Sequence, residues 1–367
     1  MRTLRWKKTL TLALVAGFAA ACQTGTEPMD GPAFDAEAAL EDYEAMDTLL
    51  ASGAMDAFRA LAGGVAFQSF GEEAEFAALL ASEIGSSRGR SGPETLATLM
   101  ARATSDLGGK GAGNPIISSL RRGKTFVYDA ALARYVIDHE REGAPETGVR
   151  FILYEPGSDG RPNPGSEIGY ADLIDEGDSS AQEIALRLVV VEGTATILDY
   201  RTTVDILASG GEVTVNGYLQ GERDRLDFDI QVRGAADGDG STVDISFEIG
   251  IAGRDFSITG AVRGFDGASG EGGEVSLTVR HGTDSFSVAV EGGNSLIDGV
   301  VHLNGELFAT VEGDPASPTI KGASGAELTW TEALVLHQII DSTEDVFDLF
   351  EDLLDPVDEL VIIALIL

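Results

Sequence analysis

Four histidines, a single cysteine, paired aspartates and one glycine–lysine run are the residues in this chain whose types could do chemistry. His139, His281, His302 and His337 fall on separate expected elements. They show neither the HExxH pattern nor the i, i+4 spacing that brings two imidazoles onto one zinc ion. Asp237 and Asp239 are the candidates for hard-oxygen ligation of Ca²⁺. The loop pattern that ends in a bidentate Glu is absent, and Asp-Gly pairs are also common hairpin turns, so the turn reading competes with the metal reading. Gly108-Gly109-Lys110-Gly111 lacks the Ser or Thr that follows the lysine of a phosphate-binding loop, and no strand feeds it. No cofactor or resident metal is expected. Cys22, as the sole cysteine, cannot form an internal disulfide, so its chemistry is that of a lone thiol.

The residues ahead of Cys22 say what happens to that thiol. Arg2, Arg5, Lys7 and Lys8 form a basic stretch, Thr9 to Phe18 is mostly apolar, and Ala19-Ala20-Ala21 supplies small residues. The apolar run falls well short of the roughly 20 residues that span a bilayer. Together with Cys22 the segment resembles a bacterial lipoprotein signal, although Ala19 stands where such signals usually carry Leu. The resemblance covers only the first 22 residues or so. It implies diacylglycerol on the thiol, cleavage before Cys22 and acylation of the freed amine. Gln23, where Asp would favour retention in the inner membrane, implies delivery to the outer membrane. The Gly177-Asp178-Ser179-Ser180 run is similar to the opening of one esterase group. That block needs a buried strand before it and a His partner near the end; neither is in place, and a turn is the better reading.

Formal net charge is −36, and removal of the signal leaves 21 basic residues against 61 acidic, or −40. Nucleic acid is excluded as a general electrostatic partner, because phosphate repulsion would oppose binding. Charge is also uneven. Arg88 to Lys124 holds seven basic residues and two acids, whereas no Lys or Arg follows Lys321. Arg121, Arg122 and Lys124 could therefore meet anionic lipid headgroups near the anchor. The competing reading, which is favoured, has the island neutralising the chain's own acids.

These residues need elements to position them. Residues 1–21 are the signal peptide and 22–32 a polar tether. Apolar residues at helical spacing make 33–107 a helical segment, and 108–123 is a Gly-rich linker. From 124 to 325 the apolar period becomes two. Leu226, Phe228, Ile230 and Val232 alternate with Asp227, Asp229, Gln231 and Arg233, and 243–251, 256–262, 275–279 and 286–290 repeat the scheme. Glu155 to Ser166 reads as a long loop. Residues 326–367 return to an amphipathic helix with an apolar tail. The expected fold class is α+β: a large curved antiparallel sheet or open barrel of roughly a dozen strands, its apolar face covered by the N-terminal helices and the C-terminal helix, with 33–367 as one domain.

The expected function is that of a non-enzymatic, membrane-anchored envelope lipoprotein that binds or scaffolds, with lipid or another hydrophobic ligand as one class of cargo. An open barrel with a helical plug is similar to the carriers that sort lipoproteins between membranes, an analogy of fold alone. A cell-surface adhesion or assembly module, using the polar face of the sheet, is the alternative. A hydrolase with a dispersed site stands behind both. A membrane-spanning β-barrel has the right alternation but lacks aromatic girdles.

Overall fold

The computed structural model describes residue 117 and residues 119–177, 183–207, 210–237, 240–267, 270–293, 296–314 and 317–328. The helices expected over 33–107 and from 326 onward, the signal and the tether lie outside these residues, save for 326–328, which are irregular. The described part is strand: β1 (Lys124–Asp129), β2 (Arg134–Asp138), β3 (Gly148–Pro156), β4 (Pro162–Asp175), β5 (Glu183–Glu192), β6 (Ala195–Leu207), β7 (Gly210–Gln220), β8 (Arg225–Asp237), β9 (Gly240–Ala252), β10 (Phe256–Gly267), β11 (Gly270–His281), β12 (Asp284–Gly293), β13 (Ile297–Leu303), β14 (Glu306–Asp314) and β15 (Ser317–Gly322).

All fifteen belong to one sheet whose order runs from β15 back through each preceding strand to β3, then β1 and β2. The order is linear, so the sheet is open and not a closed barrel. Pairing is antiparallel wherever its register is given, except that β1 lies parallel to β3. The meander follows from turn chemistry. Gly253 and Gly282 sit at φ +88° and +59°, a left-handed conformation open to glycine at little cost, and each closes the hairpin expected at its position. One expectation is corrected: Glu155–Ser166 is not simply a loop. Pro156 is opposite Pro162, and β4 starts there, displaced by bulges at Leu153/Tyr154 and Tyr154/Pro156.

The chain divides into two compact units, one taking in Leu226–Leu349 and with it β8–β15, the other Gly211–Arg225 and the chain back from Leu207, with β1–β7. In the β8–β15 unit the alternation is clearest along β8, the second half of β9 and β13. Leu226, Phe228, Ile230, Val232, Ile249, Ile258, Leu277, Phe286 and Val301 are all buried, and the residues between them form the polar face. Phe247 lies directly opposite Gly260, where a Cβ would collide with its ring, so the glycine makes room for the aromatic group.

In the β1–β7 unit one face carries Phe126, Val149, Phe151, Leu153, Leu173, Leu188 and Tyr200, all buried. The opposite face carries ion pairs between neighbouring strands. Arg150 on β3 grips Asp172 on β4 with two bonds of 2.7 Å, and its guanidinium lies 3.6 Å from the Tyr170 ring centre. Arg187 on β5 binds Asp199 on β6 at 2.8 and 2.7 Å, and Glu176 bonds Arg201 at 3.0 Å. Arg187 and Arg201 are directly opposite in register, a like-charge contact offset by those two acids. Hydrogen bonding to Asp172 and to Asp199 raises Arg150 and Arg187 further above the ordinary guanidinium value.

An aromatic corner closes this unit at β1–β3. Phe126 stacks on Phe151 at 5.0 Å, and Tyr135 meets Tyr128 and Phe151 edge-on at 5.6 and 5.7 Å. The Tyr135 hydroxyl donates to the Ile152 carbonyl at 2.9 Å, and burial pushes the phenol well above its usual value. Since the folded chain holds this proton more tightly than the unfolded chain, the stability it contributes is full below pH about 10 and is lost as pH rises beyond it. Tyr135→Phe is expected to cost about 1 kcal/mol at neutral pH, from the lost hydrogen bond, and to flatten the decline above pH about 10. Urea unfolding across that range measures both effects.

Candidate functional site

On the polar face of the β8–β15 unit a shallow, open groove of ≈ 520 Å³ crosses six strands from β8 to β13. The register explains its form. Ser246, Ala261, Ser276, Ala289 and Val300 stand opposite one another on β9 to β13 and make a floor of mostly small side chains. One step along each strand on the same face, Asp244, Arg263, Glu274, Glu291, Asp298 and, on β14, Glu312 form a second row. The groove is therefore the difference in side-chain length between two adjacent rows of one sheet face.

The ends of the charged row are neutralised. Arg263 lies 3.5 Å from Asp244, and Lys321 lies 3.4 Å from Glu312. Between them Glu274, Glu291 and Asp298 are exposed, directly opposite in turn, and without an ion-pair partner among the described residues. Neighbouring carboxylates at the roughly 4.8 Å spacing of strands repel one another. The groove is therefore of mixed polarity, with carboxylates along one row and Ala261, Ala289 and Val300 beside Ser246 and Ser276 along the other.

Sequence reasoning did not assemble this row. Its acids are 17, 7 and 14 residues apart and fall together only through register. The signal that could have found them was turn placement: the His281-Gly282-Thr283 turn alone puts Glu274 opposite Glu291.

The residues singled out from sequence are placed differently. Cys22, Asp239, His337, the Gly108–Gly111 run and Asp178 to Ser180 lie outside the described residues, as does the side chain of Asp237, the last residue of β8. His139 follows β2, His281 ends β11 and His302 lies on β13. Among the described residues no three His, Cys, Asp or Glu gather into a cluster able to hold a metal ion.

Arg121, Arg122 and Lys124 do lie together at the entry to β1, but Arg122 is turned toward the protein. Its guanidinium bonds Asp175 at 3.0 Å and the Ile117 carbonyl at 3.0 Å. The Asp175 side chain, 4% exposed, also accepts the amides of Gly177 at 3.1 Å and Ile117 at 3.4 Å. The last residues of the expected linker are thus stapled to the end of β4, with Ile117 fully buried.

Two outcomes follow. Arg122→Ala is expected to lose about 1.5–3 kcal/mol of stability, because the buried Asp175 carboxylate loses its charged donor. A loss under about 0.5 kcal/mol in chemical denaturation would show that the staple bears no load. Glu291→Gln is expected to raise stability at low salt by about 0.2–1 kcal/mol, a gain that fades in about 1 M salt. Thermal melts at the two salt concentrations measure it.

No family model, no curated protein and no solved structure matches the chain.

Proposed function

We propose that the protein is an exported, lipid-anchored envelope protein that works by binding or scaffolding, and that the polar face of its sheet is the contact surface. The groove across β8–β13 is the observation that carries this reading. It is built on paired strands, which hold their side chains in fixed register, and it sets a row of charge beside a floor of small, mainly apolar side chains. Cys22, held on a polar tether, is the acylated residue and would leave the sheet free at the membrane surface. Gln23 favours the outer membrane. The carboxylate row argues against an acyl chain as the occupant of this groove, since burying ionised groups against hydrocarbon is costly. It favours the adhesion or assembly form of the reading over lipid carriage.

The test is made in intact envelope. A photo-reactive side chain at Ser276, on the groove floor, is expected to yield a discrete crosslinked species, and one at Glu222, in the turn after β7, is not. Cys22→Ser is expected to release the protein from the membrane fraction and to block processing. A protein that stays membrane-bound without the thiol sinks the anchor; a groove that captures nothing beyond the Glu222 background sinks the contact surface.

A further inference from the structure

The sheet ends on two strands of unlike construction. β15 contains Pro318, which has no amide hydrogen to donate, and Lys321, whose charge is engaged by Glu312. Both features discourage an edge from pairing with another chain. β2, at the other end, has neither. It reads Arg134-Tyr135-Val136-Ile137-Asp138, with an unbroken ladder to β1 on its inner side from Thr125↔Asp138 to Asp129↔Arg134. No strand covers its outer side among the described residues.

The five residues complement themselves. Alternation puts Arg134, Val136 and Asp138 on one face and Tyr135 and Ile137 on the other. Laid antiparallel to a second copy about Val136, the strand sets Arg134 opposite Asp138 twice, Tyr135 opposite Ile137 twice, and Val136 opposite itself. Opposite charges and aromatic–β-branched contacts are favoured cross-strand neighbours. Parallel pairing would put like charges side by side, and centring on Tyr135 would lose both charge pairs. Within one chain the two charges cannot meet, being four residues and roughly 13 Å apart along the strand. Arg134 stands opposite Asp129 of β1 in register but is not at ion-pair distance from any acid among the described residues, unlike Arg122, Arg141, Arg150 and Arg187. Asp138 Oδ1 accepts the Glu140 amide at 2.9 Å, and neither of its oxygens is in an ion pair.

We propose that two copies of this chain join through their β2 edges about a two-fold axis, continuing one sheet into the next. Such an interface is isologous and closes on itself, so it makes a dimer and not a filament. It is independent of the groove and of the anchor.

A charge swap tests it on the full chain. Arg134→Asp places four acids at the junction, with Asp129 of each chain opposite the new one, and is expected to weaken dimerisation by about tenfold or more in sedimentation equilibrium. Asp129→Asn, which removes only the neighbour within the chain, is expected to leave it within about threefold. Adding Asp138→Arg recreates both pairs with the charges exchanged, and is expected to restore the wild-type constant to within about threefold. In a Cys22→Ser background, Val136→Cys is expected to form a disulfide dimer on mild oxidation, since its two copies would be directly opposite, and Thr319→Cys on β15 is not. Circular dichroism checks that each variant is folded. A monomeric wild-type chain, an Arg134→Asp dimer of unchanged strength, a swap that restores nothing, or a crosslink through Thr319 in place of Val136 would each overturn the proposal.

Discussion

Register is the constraint on which the described structure rests. In a sheet with a side-chain period of two, moving one strand by a single residue would carry its apolar set to the wet face and its charges into the core. Where the connection is described, as at Gly253, Gly282 and Asn304-Gly305, a left-handed glycine turn sets the register of its hairpin. The burial of Phe228, Ile258 and Phe286, the fit of Phe247 over Gly260, and the facing rows of Glu274, Glu291 and Asp298 all depend on register. The same pairing therefore builds both core and surface, and no residue of the groove is placed independently of the apolar face beneath it.

The two units spend their acidic residues in different ways. In β1–β7 several acids face an arginine, as Asp172 faces Arg150 and Asp199 is reached by Arg187, with bidentate geometry that fixes neighbouring strands to one another. In β8–β15 the central carboxylates of the groove make no such bidentate pair among the described residues; Arg263, opposite both Asp244 and Glu274 in register, pairs with Asp244. Part of the chain's large negative charge therefore stands as a local, ordered feature and not only as a diffuse one. Ordered repulsion of this kind works against stability.

Much of the sheet was legible in the sequence. From Leu226 to Val290 the apolar positions alternate with few breaks, such as Gly260 and Gly264, and glycine-containing turns separate the runs, so strands and faces follow directly. β4 was not legible, because Pro162, Pro164 and Gly165 read as a loop and bulges break the alternation beside it. β13 to β15 are short, and the best signal for the β13–β14 hairpin is Asn304-Gly305, whose two left-handed residues form a tight turn. The Asn304 side chain ties that turn to β12 by accepting the Ser285 amide at 2.7 Å. The groove was invisible for a different reason: its residues share no sequence neighbourhood. Arg122 was visible as a charge, but its partner Asp175 lies 53 positions away, a distance that no local pattern spans.

Nearly every strand in the order touches only its neighbours in sequence, the parallel contact of β1 with β3 being the exception. A chain of this topology closes short loops one at a time, so the entropy lost at each addition is small and assembly can spread hairpin by hairpin from any point already formed. Loosening runs the same path in reverse. Within each unit a strand with a partner on both sides is held by two ladders of hydrogen bonds and a border strand by one, so a border strand has less to lose on opening.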